Sequence, residues 1–147
     1  MSDSFRIRSV QTLYFAYGSN LNLGQMRRRC PGSRPVRAHF LEEHELVLRG
    51  VANIEDAPGS HIPGAIYEIC ESDEKTLDGY EGFPTLYTKL YFECDIGKVM
   101  YYRLVEAVFK KARKGYVEII ETGFKEWELP LDHLEAAIKT QSERYGQ

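Results

Sequence analysis

Two runs rich in aromatic and β-branched residues, Leu86 to Ile96 and Val99 to Ala107, flank a Gly97-Lys98 pair and constrain this chain more than any other feature. Strand-forming runs joined by a glycine-containing pair mark a tight β-hairpin, because the turn must take positive φ. The chain is thereby committed to a sheet with antiparallel pairing. Leu13-Tyr14-Phe15-Ala16-Tyr17 reads as a buried strand that stops at Gly18. Two further strands are expected at Glu45–Arg49 and, after a Pro63-Gly64 turn, at Ala65–Cys70, with a loop between them.

Helices fill the intervals. Asn22 with Gln25 three residues on is a capping-box pattern, so a short helix starts there and ends before Pro31. Ser72 is placed to cap another that carries Leu77 and Tyr80, with Asp73 and Glu74 at its positive end, and Glu81-Gly82-Phe83-Pro84 breaks it. Past the hairpin the apolar period lengthens. Tyr116, Ile119, Ile120, Phe124 and Trp127 form one helical stripe, and Pro130 opens a last helix with Leu131, Leu134 and Ile138 on one side. This order predicts an α+β fold: five or six strands in a small mixed or antiparallel β-barrel with flanking short helices. The pattern leaves barrel and open sheet both standing. At 147 residues the chain is expected to be one domain over 1–147, since that length buries roughly two-thirds of its unfolded surface.

Several function classes drop away. A net charge of −3 argues against nucleic acid as a partner. The basic runs Arg27-Arg28-Arg29 and Lys110-Lys111-Ala112-Arg113-Lys114 read as solvated faces beside helix ends. Cys30, Cys70 and Cys94 are odd in number and far apart, which fits neither a disulfide framework nor metal spacing. Neither a signal-peptide core nor a run of ~18 apolar residues is present, so no membrane association and a cytoplasmic location are expected. His39, His44, His61 and His133 show no ligand spacing, and dinucleotide, P-loop and zincin motifs are missing; no metal and no cofactor are expected.

What remains is the strand-to-helix turn Tyr17-Gly18-Ser19-Asn20-Leu21. Gly18 permits positive φ or close approach of a ligand, the helix start offers N–H groups to an anion, and Ser19 and Asn20 add side-chain donors. Taken alone, such a turn is more often ordinary turn chemistry. Glu81 stands at a helix break among Tyr80, Phe83 and Tyr87, where a partly buried carboxyl of raised pKa can sit, although most glutamates are solvated.

Together, Tyr14-Phe15-Ala16-Tyr17-Gly18-Ser19-Asn20-Leu21 and Leu77-Asp78-Gly79-Tyr80-Glu81-Gly82 resemble the γ-glutamylcyclotransferases and the related AIG2-like proteins. The likeness continues through Pro63 to Ile69, Gly115 to Ile120 with Gly123, and Glu126 to Leu134, covering about residues 12 to 140. The resemblance implies a small barrel with a cavity at its mouth. It also implies an enzyme, a cyclising acyltransferase or lyase that releases 5-oxoproline from a small-molecule γ-glutamyl substrate. Glu81 matches the family's acid/base glutamate, the stretch Tyr14 to Leu21 its substrate-binding segment, and Tyr87 and Tyr116 its pocket tyrosines. The motifs leave the leaving group open among an amino acid, a lysine side chain and an antibiotic intermediate, while the Tyr116 helix and the Leu129-Pro130 segment are most similar to the γ-glutamyl amino acid branch. A non-catalytic binding barrel and a homodimer are also left open.

Overall fold

The computed structural model describes residues 11 to 106 and 110 to 145. Strand β1 (Thr12–Ala16) leads through a 3-10 turn (Ser19–Leu21) into α1 (Leu23–Arg29), followed by β2 (Arg34–Leu48) and β3 (Ala52–Ile69). Then come α2 (Glu71–Glu81), the hairpin of β4 (Tyr87–Cys94) and β5 (Gly97–Leu104), and finally α3 (Lys114–Glu126) and α4 (Asp132–Tyr145). The strands form one sheet in the order β2-β3-β1-β5-β4. β1 is antiparallel to β3 and parallel to β5, so the sheet is mixed and the fold is α+β.

The hairpin turns where expected, with Cys94 opposite Gly97 and Gly97 at φ 126°. Its second strand ends at Leu104, earlier than expected, and Ala107 lies outside the described residues. The expected loop between the two middle strands shrinks to residues 49–51, and Pro63-Gly64 lies inside β3 instead of in a turn. β1 runs alongside β3 only from Ile69 to Ala65, so Pro63 has a ladder neighbour on one side alone and its missing N–H leaves little unpaired. Gly64 serves a close approach: a Cβ there would stand 2.5 Å from the Ala16 carbonyl oxygen and the Phe15 ring.

The closed barrel does not form. Among the described residues no ladder joins the edge strands β2 and β4. Side chains bridge them in its place: His39 of β2 stacks on Phe92 of β4 with ring centroids 5.2 Å apart, and Arg37 pairs with Asp95. The sheet curls toward closure but stays open. Asn22 does cap α1, accepting from the Gln25 amide at 3.0 Å, whereas α2 starts at Glu71, one residue before Ser72, because β3 runs almost directly into it.

The core joins Phe15, Ile54, Ile66 and Met100 of the sheet to Leu77, Ile120, Phe124 and Leu134 of the helices, all essentially buried. One contact in it matters for function. Gly123 of α3 lies against the 3-10 turn so closely that a Cβ there would be 2.6 Å from both the Leu21 Cβ and the Asn22 nitrogen. The apolar stripe of α3 thus holds the turn after β1 in place. No helix among the described residues is long and apolar enough to cross a membrane.

Candidate active site

A cleft opens where β1 ends. β1 and its turn contribute Tyr14, Tyr17, Gly18, Ser19 and Asn20; the start of β3 contributes Ala52, the end of α2 Glu81, the hairpin Tyr87 and Tyr102, and α3 Tyr116. Residues separated by a hundred positions therefore face one space. Phe15, Ala16 and Leu21 do not line it. Strand alternation turns Phe15 away from Tyr14 and into Phe92 and His39, Ala16 is buried in the core, and Leu21 is fully buried under Gly123. Ala52 and Tyr102 carry no motif and were not anticipated from sequence. A second hollow of about 100 Å³ between β2 and α4 contains the bonded trio Arg49, Glu55 and Tyr145 and none of these residues.

The turn differs from expectation in its details. Gly18 has φ −121°, so positive φ is not what requires glycine; a Cβ there would lie 2.8 Å from the Ala52 Cβ. The start of α1 is already satisfied, since the Leu23 N–H donates to the Glu126 carboxylate at 2.8 Å and Asn22 caps Gln25. The 3-10 turn has its first internal donor at Leu21, bonded to the Gly18 carbonyl, so the Ser19 and Asn20 amides precede the ladder and have no partner within the turn. The Asn20 side chain acts as scaffold. It donates to the Tyr14 hydroxyl at 3.0 Å and accepts from Arg29 at 3.0 Å and Gln25 at 3.3 Å.

Five tyrosines surround the space, and their bonds divide them by where each hydroxyl proton goes. Tyr17 donates to the Tyr102 carbonyl, Tyr87 to the Ala52 carbonyl and Tyr102 to the Asp78 carboxylate, at 2.6, 2.8 and 2.6 Å. Those protons are engaged. Tyr14 instead accepts from Asn20, and Tyr116 accepts from the Ala52 N–H at 2.8 Å. A hydroxyl has one donor hydrogen, so Tyr14 keeps its own for the cleft and Tyr116 has one for Ser19 or a ligand. Burial raises the pKa of both, that of Tyr116 to about 12, so each remains a neutral donor.

Glu81 is the last residue of α2, and Gly82 ends the helix in the left-handed conformation at φ 65°, with its N–H and that of Phe83 returning to carbonyls of the last turn. Burial in the cleft raises the Glu81 carboxyl to about 7, with the nearby Arg29 guanidinium pulling the other way. A carboxylate at a helix C-terminus is disfavoured by the backbone dipole as well. Arg29, read from sequence as part of a solvated run, lies over the Tyr80 ring at 4.2 Å and bonds to Asn20, linking the turn to the helix that carries Glu81. No local pattern distinguishes it from Arg27 and Arg28.

Among the described residues the arrangement offers two backbone N–H groups without a partner in the turn, two hydroxyls whose protons the backbone does not engage, and one acid close to neutrality. Among known proteins, the profile of the family described as gamma-glutamyl cyclotransferase, AIG2-like, matches residues 14–127. No curated protein matches. Similar solved structures include the uncharacterised human protein loc79017, with 24% identity, a TM-score of 0.75 and 86% of each chain covered. A gamma-glutamyl cyclotransferase is also similar, with 24% identity, a TM-score of 0.74, and 87% of this chain and 86% of that one covered. YkqA from Bacillus subtilis has 17% identity and a TM-score of 0.73, with 93% of this chain on 56% of that one. At these identities the structural likeness speaks for the fold.

Proposed function

The chain belongs to the AIG2-like γ-glutamyl cyclotransferase family, and on that premise we propose that it cyclises the γ-glutamyl group of a small γ-glutamyl compound to 5-oxoproline and frees the attached amine. The observation that carries this is Glu81, the one acid lining the cleft among the described residues, held close to neutral pH and facing the turn of Gly18 to Asn20. A group titrating near the working pH is efficient at both accepting and donating a proton.

The substrate's α-carboxylate rests on the Ser19 and Asn20 amides. Its α-ammonium must lose a proton before the nitrogen can attack the γ-carbonyl, and Glu81 takes it. The new C–N bond closes the five-membered ring, and the nitrogen sheds a second proton as the lactam forms. The amide bond to the departing nitrogen breaks as Glu81 returns the protons to it. Both protons lost by the ammonium end on the leaving amine, so no water or redox partner enters the balance. Tyr14 and Tyr116, whose hydroxyl protons are not engaged by the backbone, donate to the charge that gathers on the γ-carbonyl oxygen. Tyr87 fixes the Ala52 peptide against which Tyr116 is set. Gripping the carboxylate curls a flexible chain into its reactive conformer, an effect that contributes up to ~7–11 kcal/mol in well-oriented intramolecular reactions.

The test is 5-oxoproline release from γ-glutamyl-alanine by Glu81→Gln. Loss of product with substrate binding retained is the expected result. Turnover at the wild-type rate would remove Glu81 from the mechanism.

A further inference from the structure

The 3-10 turn that carries the Ser19 and Asn20 amides is three residues long, too short to satisfy its own carbonyls. Its internal bonds run from the Leu21 and Asn22 amides to the Gly18 and Ser19 carbonyls, and α1 begins a separate ladder at Asn22. Among the described residues no backbone N–H bonds to the Asn20 or Leu21 carbonyl, although Asn20 is buried and Leu21 fully so. Buried acceptors of this kind need donors from elsewhere. Two aromatic side chains supply them. The Tyr67 hydroxyl donates to the Asn20 carbonyl at 2.9 Å, and the Trp127 indole N–H donates to the Leu21 carbonyl at 2.9 Å. Their rings meet edge to face with centroids 5.6 Å apart, so each steadies the other. Both also come from elements that shape the cleft. Tyr67 lies opposite Tyr14 in the ladder of β1 and β3 and stacks beside its ring, centroids 6.4 Å apart. Trp127 follows the last residue of α3, the helix whose Tyr116 enters the cleft and whose Gly123 presses on Leu21.

We propose that Tyr67 and Trp127 are positioning residues: by gripping the carbonyls at one end of the turn they aim the Ser19 and Asn20 amides at the other end into the cleft, and so set affinity for the substrate's α-carboxylate. The inference rests on the cyclotransferase function proposed above. Peptide groups in a helical turn lie nearly parallel, with N–H toward its start and C=O toward its end, so a turn that pivots on a lost carbonyl bond also swings its leading amides. Neither aromatic lines the cleft, so both act through the turn. The α-carboxylate keeps its charge from bound substrate to transition state. A slackened grip therefore weakens both alike and registers in KM more than in kcat.

The experiment measures 5-oxoproline release from γ-glutamyl-alanine by Tyr67→Phe and by Trp127→Phe, each of which removes one donor and keeps an aromatic ring. Each should raise KM about tenfold with kcat within about threefold of wild type, the size expected when a buried acceptor loses its donor. Ile69→Val trims a fully buried side chain on the same strand as Tyr67 and serves as the control for a loosened core. It should leave KM unchanged. A KM equal to wild type in either aromatic variant, a fall in kcat at unchanged KM, or an equal rise in KM for Ile69→Val would overturn the positioning role and leave the cyclotransferase function standing. Absence of product with wild-type protein would remove that function, and the positioning role with it.

Discussion

Lys89, packed from β4 against α2, and Glu81, the last residue of α2, are two largely enclosed ionisable groups, and the fold treats them in opposite ways. The Lys89 side chain is only 9% exposed, yet its ammonium lies 2.6 Å from Glu74 and 3.0 Å from Asp78, and 4.5 Å from the centre of the Phe83 ring. Burial alone would lower its pKa; the hydrogen bonds to Glu74 and Asp78 outweigh that and raise it. Glu81, three residues beyond Asp78 on the same helix, forms no ion pair among the described residues and is pushed up to about 7. A charge with partners fixes structure, here tying α2 to β4 and, through the bond from Tyr102 to Asp78, to β5. A charge left without them keeps a proton it can exchange.

Removing each group should separate these roles. Glu81→Gln is expected to lower kcat/KM by about 10²–10⁴, the range for a general acid/base; a loss below tenfold would erase the contrast with Lys89. Lys89→Met leaves Glu74 and Asp78 facing each other unpaired and should destabilise the fold by about 2–4 kcal/mol in urea denaturation, somewhat less than a fully buried pair because both carboxylates touch solvent. The pH dependence of the surviving activity should keep its midpoint, since Lys89 is not a source of the Glu81 shift. A displaced midpoint would make Lys89 part of the proton chemistry.

Smaller effects sharpen the same comparison. The folded pKa of Glu81, about 7, lies above its ordinary 4.5. Between those values the unfolded chain has released the proton that the folded chain still holds, so this group reduces stability as pH rises from 4.5 to about 7, and the penalty persists above. Glu81→Gln should therefore be more stable than wild type above pH 7, by about 1–3 kcal/mol, and lose that advantage below pH 4.5. Thermal melts across pH measure this, and equal melting at high pH would contradict the raised pKa. Arg29→Met should move the rising limb of kcat/KM to higher pH by a fraction of a unit, because Arg29 favours the ionised carboxylate. An unmoved limb would confine Arg29 to holding Asn20.

Much of this was legible in the residues because the signals are local. The hairpin around Gly97, the Asn22 cap, the break after Glu81 and the apolar stripe of α3 each depend on a few neighbouring side chains and on backbone preferences. Tyr14 to Asn20, Glu81, Tyr87 and Tyr116 could be marked as candidates on motif, though not Phe15, Ala16 and Leu21 as core. Properties that require a partner far along the chain were out of reach. β3 passes through Pro63 and Gly64 because β1 ends beside Ala65, and the edge strands β2 and β4 meet through the stacked rings of His39 and Phe92, with no ladder between them among the described residues.

The turn from Tyr17 to Leu21 shows the division most clearly. Its residue types, determined by sequence, supply a glycine, small donors and a following helix. Tertiary structure decided that Gly18 is needed against Ala52, that the Asn20 side chain holds Tyr14 and Arg29, and that the Tyr14 and Tyr116 hydroxyls accept from the Asn20 side chain and the Ala52 N–H, which leaves their own protons unengaged by the backbone. Hydrogen-bond direction and proximity are set by groups tens of residues away, and only packing brings those groups together.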